Sequence, residues 1–175
     1  MTVKTYLGFD VGTKRTGIAI ANSLTSHASG IDTVLHHKDG STNWGHLELI
    51  IKQHKADAFI VGLPLDKENK EQEMTFIAKS FGRKLTKRFN VEVFFMDEYL
   101  SSSEAKKQLK WHYAHKNADR GDVDKRSAEL ILQTWLNETT HDKQRFSTKL
   151  KWKASASFRF KRSSKKTTRK NIRRR

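Results

Sequence analysis

The sequence predicts an α/β domain: a five-stranded mixed sheet flanked by helices. Three segments with the two-residue alternation of strands follow one another through short turns. After them the apolar pattern runs helix, strand, helix, strand, helix. Strands joined by such short turns pair antiparallel, whereas strands separated by a helix pair parallel, so the sheet is mixed.

Val3, Thr5, Leu7 and Phe9 alternate with Lys4, Tyr6 and Gly8 in the first strand. Residues 16–22 and 30–35 read as the second and third. From Trp44 the spacing of Leu47, Ile50, Ile51 and His54 is that of one helix face. Residues 58–64 form a continuous apolar run, the mark of a central strand covered on both sides. A helix over about 70–88 carries Met74, Ile77, Phe81 and Leu85 on one stripe, and a fifth strand over 91–96 runs into Asp97-Glu98. Ser101-Ser102-Ser103-Glu104 reads as a capped helix start, and a last helix is predicted over about 122–137.

The formal charge of +16 is not evenly spread. Residues 143–175 hold 15 of the 35 cations and none of the 19 acids, which leaves 20 cations against 19 acids in the rest. The chain therefore divides into a near-neutral domain, 1–142, and a basic arm, 143–175. In the arm Leu150, Trp152, Ala154, Ala156, Phe158 and Phe160 alternate with polar residues, a pattern able to add a strand to a partner. Beyond it, Lys161, Arg162, Lys165, Lys166, Arg169 and Lys170 stand among Ser and Thr, a composition that does not fold alone and suits nucleic-acid phosphates. There is no cysteine, which excludes disulfides and thiolate metal sites. No signal peptide and no membrane-length apolar run is visible, so the expected setting is the cytoplasm, without a membrane partner.

The chemistry concentrates on three carboxylates. Asp10 closes the first strand ahead of the turn Gly12-Thr13-Lys14-Arg15. Glu98 follows the fifth strand on the face of Phe94 and Met96. Asp124 lies four, seven and eleven residues before Ala128, Ile131 and Trp135, on the core-facing stripe of the last helix. A carboxylate there needs a cation. Taken singly, each has an ordinary explanation: a turn former, a solvated strand end, an ion pair with Lys125 or Arg126. Three carboxylates converging from two strand ends and a helix suit hard divalent cations, Mg²⁺ or Mn²⁺. In a two-metal site such ions activate a water and stabilise the leaving oxygen of a phosphodiester, leaving a 5′-phosphate and a 3′-hydroxyl. Lys14 and Arg15 are the expected substrate-phosphate contacts. Lys110, Trp111, Lys116 and Arg120 form a basic-aromatic stretch fit to stack bases and hold phosphates. His112-His115 and His36-His37 carry no stronger signal than surface histidines.

Gly8-x-Asp10-x-Gly12-x-Lys14-Arg15-x-Gly17, Val61-Gly62-Leu63-Pro64-Leu65, Asp97-Glu98-x-Leu100-Ser101-Ser102 and Gly121-x-Val123-Asp124-x-x-Ser127-Ala128-x-x-Ile131-Leu132 together resemble the YqgF/RuvX family. The resemblance covers residues 5–137. It implies an RNase H-like fold, a metal-dependent nuclease, and Asp10, Glu98 and Asp124 as the catalytic, metal-holding acids. The implied substrates are the 5′ end of precursor small-subunit (16S) rRNA, with ribosomal particles as partners, or branched DNA at a Holliday junction, which a homodimer rather than a monomer would resolve symmetrically. The chain departs from the family in Tyr99, where Arg is usual, and in residues 66–71, where a glycine-containing turn is usual. Two other readings compete. A non-catalytic RNA- or ribosome-binding protein could keep the fold. An actin-like ATPase or sugar kinase shares the Asp10-Val11-Gly12-Thr13 pattern, but the domain lacks the chain for a second nucleotide-closing lobe.

Overall fold

The computed structural model describes residues 2–66, 68, 70–97 and 120–141. Five strands, β1 (Thr5–Val11), β2 (Arg15–Asn22), β3 (Ala28–Leu35), β4 (Ala58–Leu63) and β5 (Glu92–Asp97), form one sheet in the order β3-β2-β1-β4-β5. The first three pair antiparallel, whereas β4 runs parallel to both β1 and β5. Helices α1 (Trp44–His54) and α2 (Glu73–Phe89) connect β3 to β4 and β4 to β5, and α3 (Arg120–His141) is the last described element. Every residue of β4 is buried, as its unbroken apolar run requires. No helix among the described residues is long and apolar enough to cross a membrane.

Alternation along each strand divides the core into two layers. Leu7, Phe9 and Val11 of β1 pack with Leu47, Ile50 and Ile51 of α1 and Ala78, Phe81 and Leu85 of α2. Phe9 meets Phe59 and Phe81 edge-on, with ring centroids 5.6 and 5.7 Å apart. The second layer sets Ala19, Ala21, Ala28, Ile60 and Met96 against Ala128, Ile131, Leu132, Trp135 and Leu136 of α3.

Small residues bring α3 unusually close to the sheet. Gly8 pairs with Ala19, which pairs with Gly30, and Asp10 pairs with Gly17, which pairs with Thr33. A Cβ on Gly8 would stand 2.8 Å from the Cβ of Leu132, and one on Gly30 2.8 Å from the Lys125 carbonyl oxygen. A Cβ on Gly17 would collide outright with the carbonyl of Asp124. At these three positions the helix rests on strand backbone. Ile31 is an extra residue in β3, since Ile18 faces Asp32 while Ala19 faces Gly30. This bulge shifts the alternation, so that Thr33 turns towards α3 and its hydroxyl donates to the Gly121 carbonyl at 2.7 Å. Two edge amides of β3 are also covered: Ala28 N–H donates to Gln133 Oε1 and Gly30 N–H to Glu129 Oε2, both at 2.9 Å.

The segment after β4 is held at both ends. The buried Thr75 hydroxyl accepts from the Gln72 N–H at 3.0 Å and donates to the Pro64 carbonyl. Asp66 Oδ1 accepts from the Glu68 and Lys70 amides at 2.8 and 2.7 Å, which gives this glycine-free turn its own cap.

Candidate active site

β1 delivers Asp10 one residue before its end. Because Phe9 and Val11 point into the α1–α2 layer, Asp10 lies on the α3 side, half-buried. The following turn is closed by Gly12 N–H donating to the Arg15 carbonyl at 2.8 Å. That bond sends the chain back as β2 with Gly17 beside Asp10. Asp124 sits in the second turn of α3, in line with the buried Ala128, Ile131 and Trp135, and its backbone presses on Gly17. Two carboxylates far apart in sequence are thus brought over neighbouring positions of one sheet face.

Asp124 does have a cationic partner. Arg15 Nε lies 2.8 Å from Asp124 Oδ2, with each side chain only 28% exposed. The nearer candidates in sequence are engaged elsewhere, Lys125 with Asp122 at 2.6 Å and Arg126 with Glu129 at 2.7 Å. Partial burial raises this pair above an ordinary surface ion pair, whose worth is about 0–1 kcal/mol. The pair also ties the first residue of β2 to α3. Lys14, by contrast, is exposed at the tip of the turn.

His36 braces the same turn, a role with no clear mark in the sequence. One ring nitrogen, Nε2, lies 2.9 Å from the hydroxyl of Thr16, itself fully buried, and the other, Nδ1, lies 3.2 Å from the Thr13 carbonyl. The His36 N–H also donates to the Lys14 carbonyl at 2.9 Å. Since a carbonyl only accepts, Nδ1 carries a proton and donates to Thr13. Thr16→Val removes the hydroxyl but keeps the shape, leaving the imidazole nitrogen without its partner. It is expected to cost about 1–3 kcal/mol of stability in denaturant titrations, with His36→Ala costing a similar amount. If the two variants are made together, their costs should be markedly less than additive, because they report one interaction.

Of the other sequence candidates, Arg120 begins α3. Glu98, Lys110, Trp111, Lys116, Tyr99 and the basic arm from Lys143, including Lys161, Arg162, Lys165, Lys166, Arg169 and Lys170, lie outside the described residues. β5 is described as far as Asp97, which pairs with Leu63. Among the described residues no three metal-ligating side chains cluster. Asp10 and Asp124, placed over neighbouring positions of the sheet, are both carboxylates. That chemistry fits a hard, oxygen-seeking divalent cation and does not fit a soft one.

Residues 4–138 match the family model described as RuvX, Holliday junction resolvase. A protein of Aeromonas salmonicida provisionally named pre-16S rRNA nuclease is 39% identical over 138 residues, covering 79% of this chain and 98% of its own. A Saccharophagus degradans protein of the same name is 42% identical over 139 residues, covering 79% and 96%. Among solved structures, T. thermophilus RuvC in complex with a Holliday junction substrate superposes with a TM-score of 0.53 at 11% identity, over 79% of this chain and 97% of that one. That likeness establishes an RNase H-like fold. The matches to the family model and to these relatives span most of the chain: it belongs to the RuvX family.

Proposed function

We propose that this chain is a metal-dependent nuclease that processes the 5′ end of precursor 16S rRNA, with Asp10, Glu98 and Asp124 as its metal-holding acids. One observation carries the reading: a carboxylate on the inward face of α3, Asp124, is pressed by backbone contact onto Gly17, the cross-strand partner of Asp10. The names of the relatives supply the substrate. Mg²⁺ or Mn²⁺ held there would lower the pKa of a water and offset charge on the leaving oxygen. Asp10 and Asp124 contribute hard oxygen donors from two rigid elements, which keeps their separation constant through turnover. Arg15 balances the charge of Asp124 and orients it, while Lys14 reaches outward to a substrate phosphate. The braced turn keeps both cations in register with Asp10.

A second reading, resolution of four-way DNA junctions, is favoured by the description of the matching family and by the junction bound to RuvC. Both are tested by incubating the full-length chain with 5′-extended 16S rRNA and with a four-way junction, in Mg²⁺, Mn²⁺ or a chelator. Expected is metal-dependent cleavage of the rRNA that leaves a 5′-phosphate and stops on chelation. Cleavage of the junction alone replaces the first reading with the second, and cleavage of neither ends the nuclease reading in favour of a binding protein.

A further inference from the structure

α2 bears five cations beyond its first turn, Lys79, Arg83, Lys84, Lys87 and Arg88, and no acid after Glu73. Lys79 pairs with Glu71, and the Arg88 guanidinium lies 4.6 Å above the Trp44 ring. Arg83, Lys84 and Lys87 are exposed and have no carboxylate partner among the described residues. Arg83–Lys87 and Lys84–Arg88 are like-charge pairs at i, i+4, each opposing the helix. The helix dipole rewards cations in the last turn, which accounts for Lys87 and Arg88. Arg83 stands further back and gains nothing from it.

Arg83 and Lys87 border a cleft of about 420 Å³ between α2 and β5. Val93 and the half-buried Phe95 form an apolar wall of it, and Thr86 and Asn90 add a hydroxyl and an amide. Gly82 lets the Phe95 ring pack directly on α2, because a Cβ there would stand 2.6 Å from it. Two cations one helical turn apart, beside an aromatic ring and hydrogen-bonding groups, match a nucleotide chain with an accessible base. Duplex RNA keeps its bases stacked and closed, so it does not offer a base to such a cleft. From Val93 to Asp97 the strand advances about 13 Å, towards the sheet end that carries Asp10.

We propose that this cleft binds single-stranded RNA flanking the cleavage site, with Arg83 and Lys87 on successive phosphates and a base against Phe95. The inference rests on the nuclease reading above and adds to it a second substrate contact, on the opposite layer of the sheet from Asp124.

The test compares the full-length chain with Arg83→Gln/Lys87→Gln, using single-stranded RNA, duplex RNA of equal length and a salt series. A control pair, Lys4→Gln/Lys38→Gln, removes the same charge from other exposed positions. Expected is about tenfold weaker single-strand binding for the α2 pair, and a log–log salt slope shallower by about 1.4, for two lost phosphate contacts. The control should retain most of the affinity, and thermal unfolding of the α2 pair should be unchanged or slightly later as repulsion is relieved. Unchanged binding, an equal loss in the control, or a loss confined to duplex RNA would overturn the proposal. Precursor cleavage is followed in parallel. Wild-type cleavage with undiminished variant binding rejects the cleft alone, whereas cleft-dependent binding without cleavage rejects the nuclease reading alone.

Discussion

Gly17→Val is expected to cost more than about 3 kcal/mol of stability, or to prevent folding. Overpacking a core ordinarily costs about 1–3 kcal/mol because neighbouring side chains can rotate away. Here the obstacle is the carbonyl of Asp124, held in the hydrogen-bonded ladder of α3, and on the other side lies the β2 backbone. Neither can rotate, so the whole helix must lift, uncovering Ala128, Ile131 and Leu132. Gly45→Ala is the matched control. Its Cβ would lie an ordinary 3.6 Å from Asn43 Oδ1, at an exposed position in the first turn of α1. It should be neutral or stabilising by up to about 1 kcal/mol. Denaturant titration of both variants checks the pair of outcomes, and a wild-type midpoint for Gly17→Val would refute the backbone contact.

Asp10→Asn is expected to lower the cleavage rate on the order of 10³-fold, the equivalent of several kcal/mol of lost transition-state charge stabilisation. Asp124→Asn should lose as much activity and also carry a stability cost. It leaves the Arg15 guanidinium, mostly buried, without its carboxylate. A loss of about 1 kcal/mol is expected there, discounted for the exposure that remains. Single-turnover cleavage together with thermal unfolding reads the two effects separately: both acids are needed for chemistry, and Asp124 also holds structure through Arg15. Retention of full activity by Asp10→Asn would sink the assignment.

The order and type of the described elements could be read from hydrophobic pattern, because β4 is an unbroken apolar run and the other elements repeat their apolar residues at strand or helix spacing. The face of α2 was read less well. Met74 and Ile77 look like deep core positions, yet Ile77 packs on the core only partly buried, and the structure buries Thr75, Ala78 and Gly82 beside Phe81 and Leu85. Hydrophobic pattern favours large side chains, whereas the deepest positions under a closely packed helix must be small. The inward placement of Asp124 was legible because Ala128, Ile131 and Trp135 repeat at helical spacing behind it. Its partner Arg15 was not, since the pairing depends on how far α3 sinks into the sheet, which the small residues of three separate strands decide together. His36 escaped for a related reason. Its contacts with Thr13 and Thr16 exist because β3 ends level with the start of β2, Leu35 opposite Arg15, and that register is a property of the assembled sheet.

The length of α3 sets distances across the described residues. From Asp124 to His141 the helix climbs about 26 Å, carrying the polypeptide away from the carboxylates before the basic segment begins. The described chain therefore ends well away from the carboxylates. Under the nuclease reading proposed above, phosphates bound by the basic residues that follow in sequence would be remote from the one at Asp10. A short oligonucleotide covering only the scissile region would miss that second grip, whereas a long precursor would be held at two points at once, its effective concentration at the carboxylates raised.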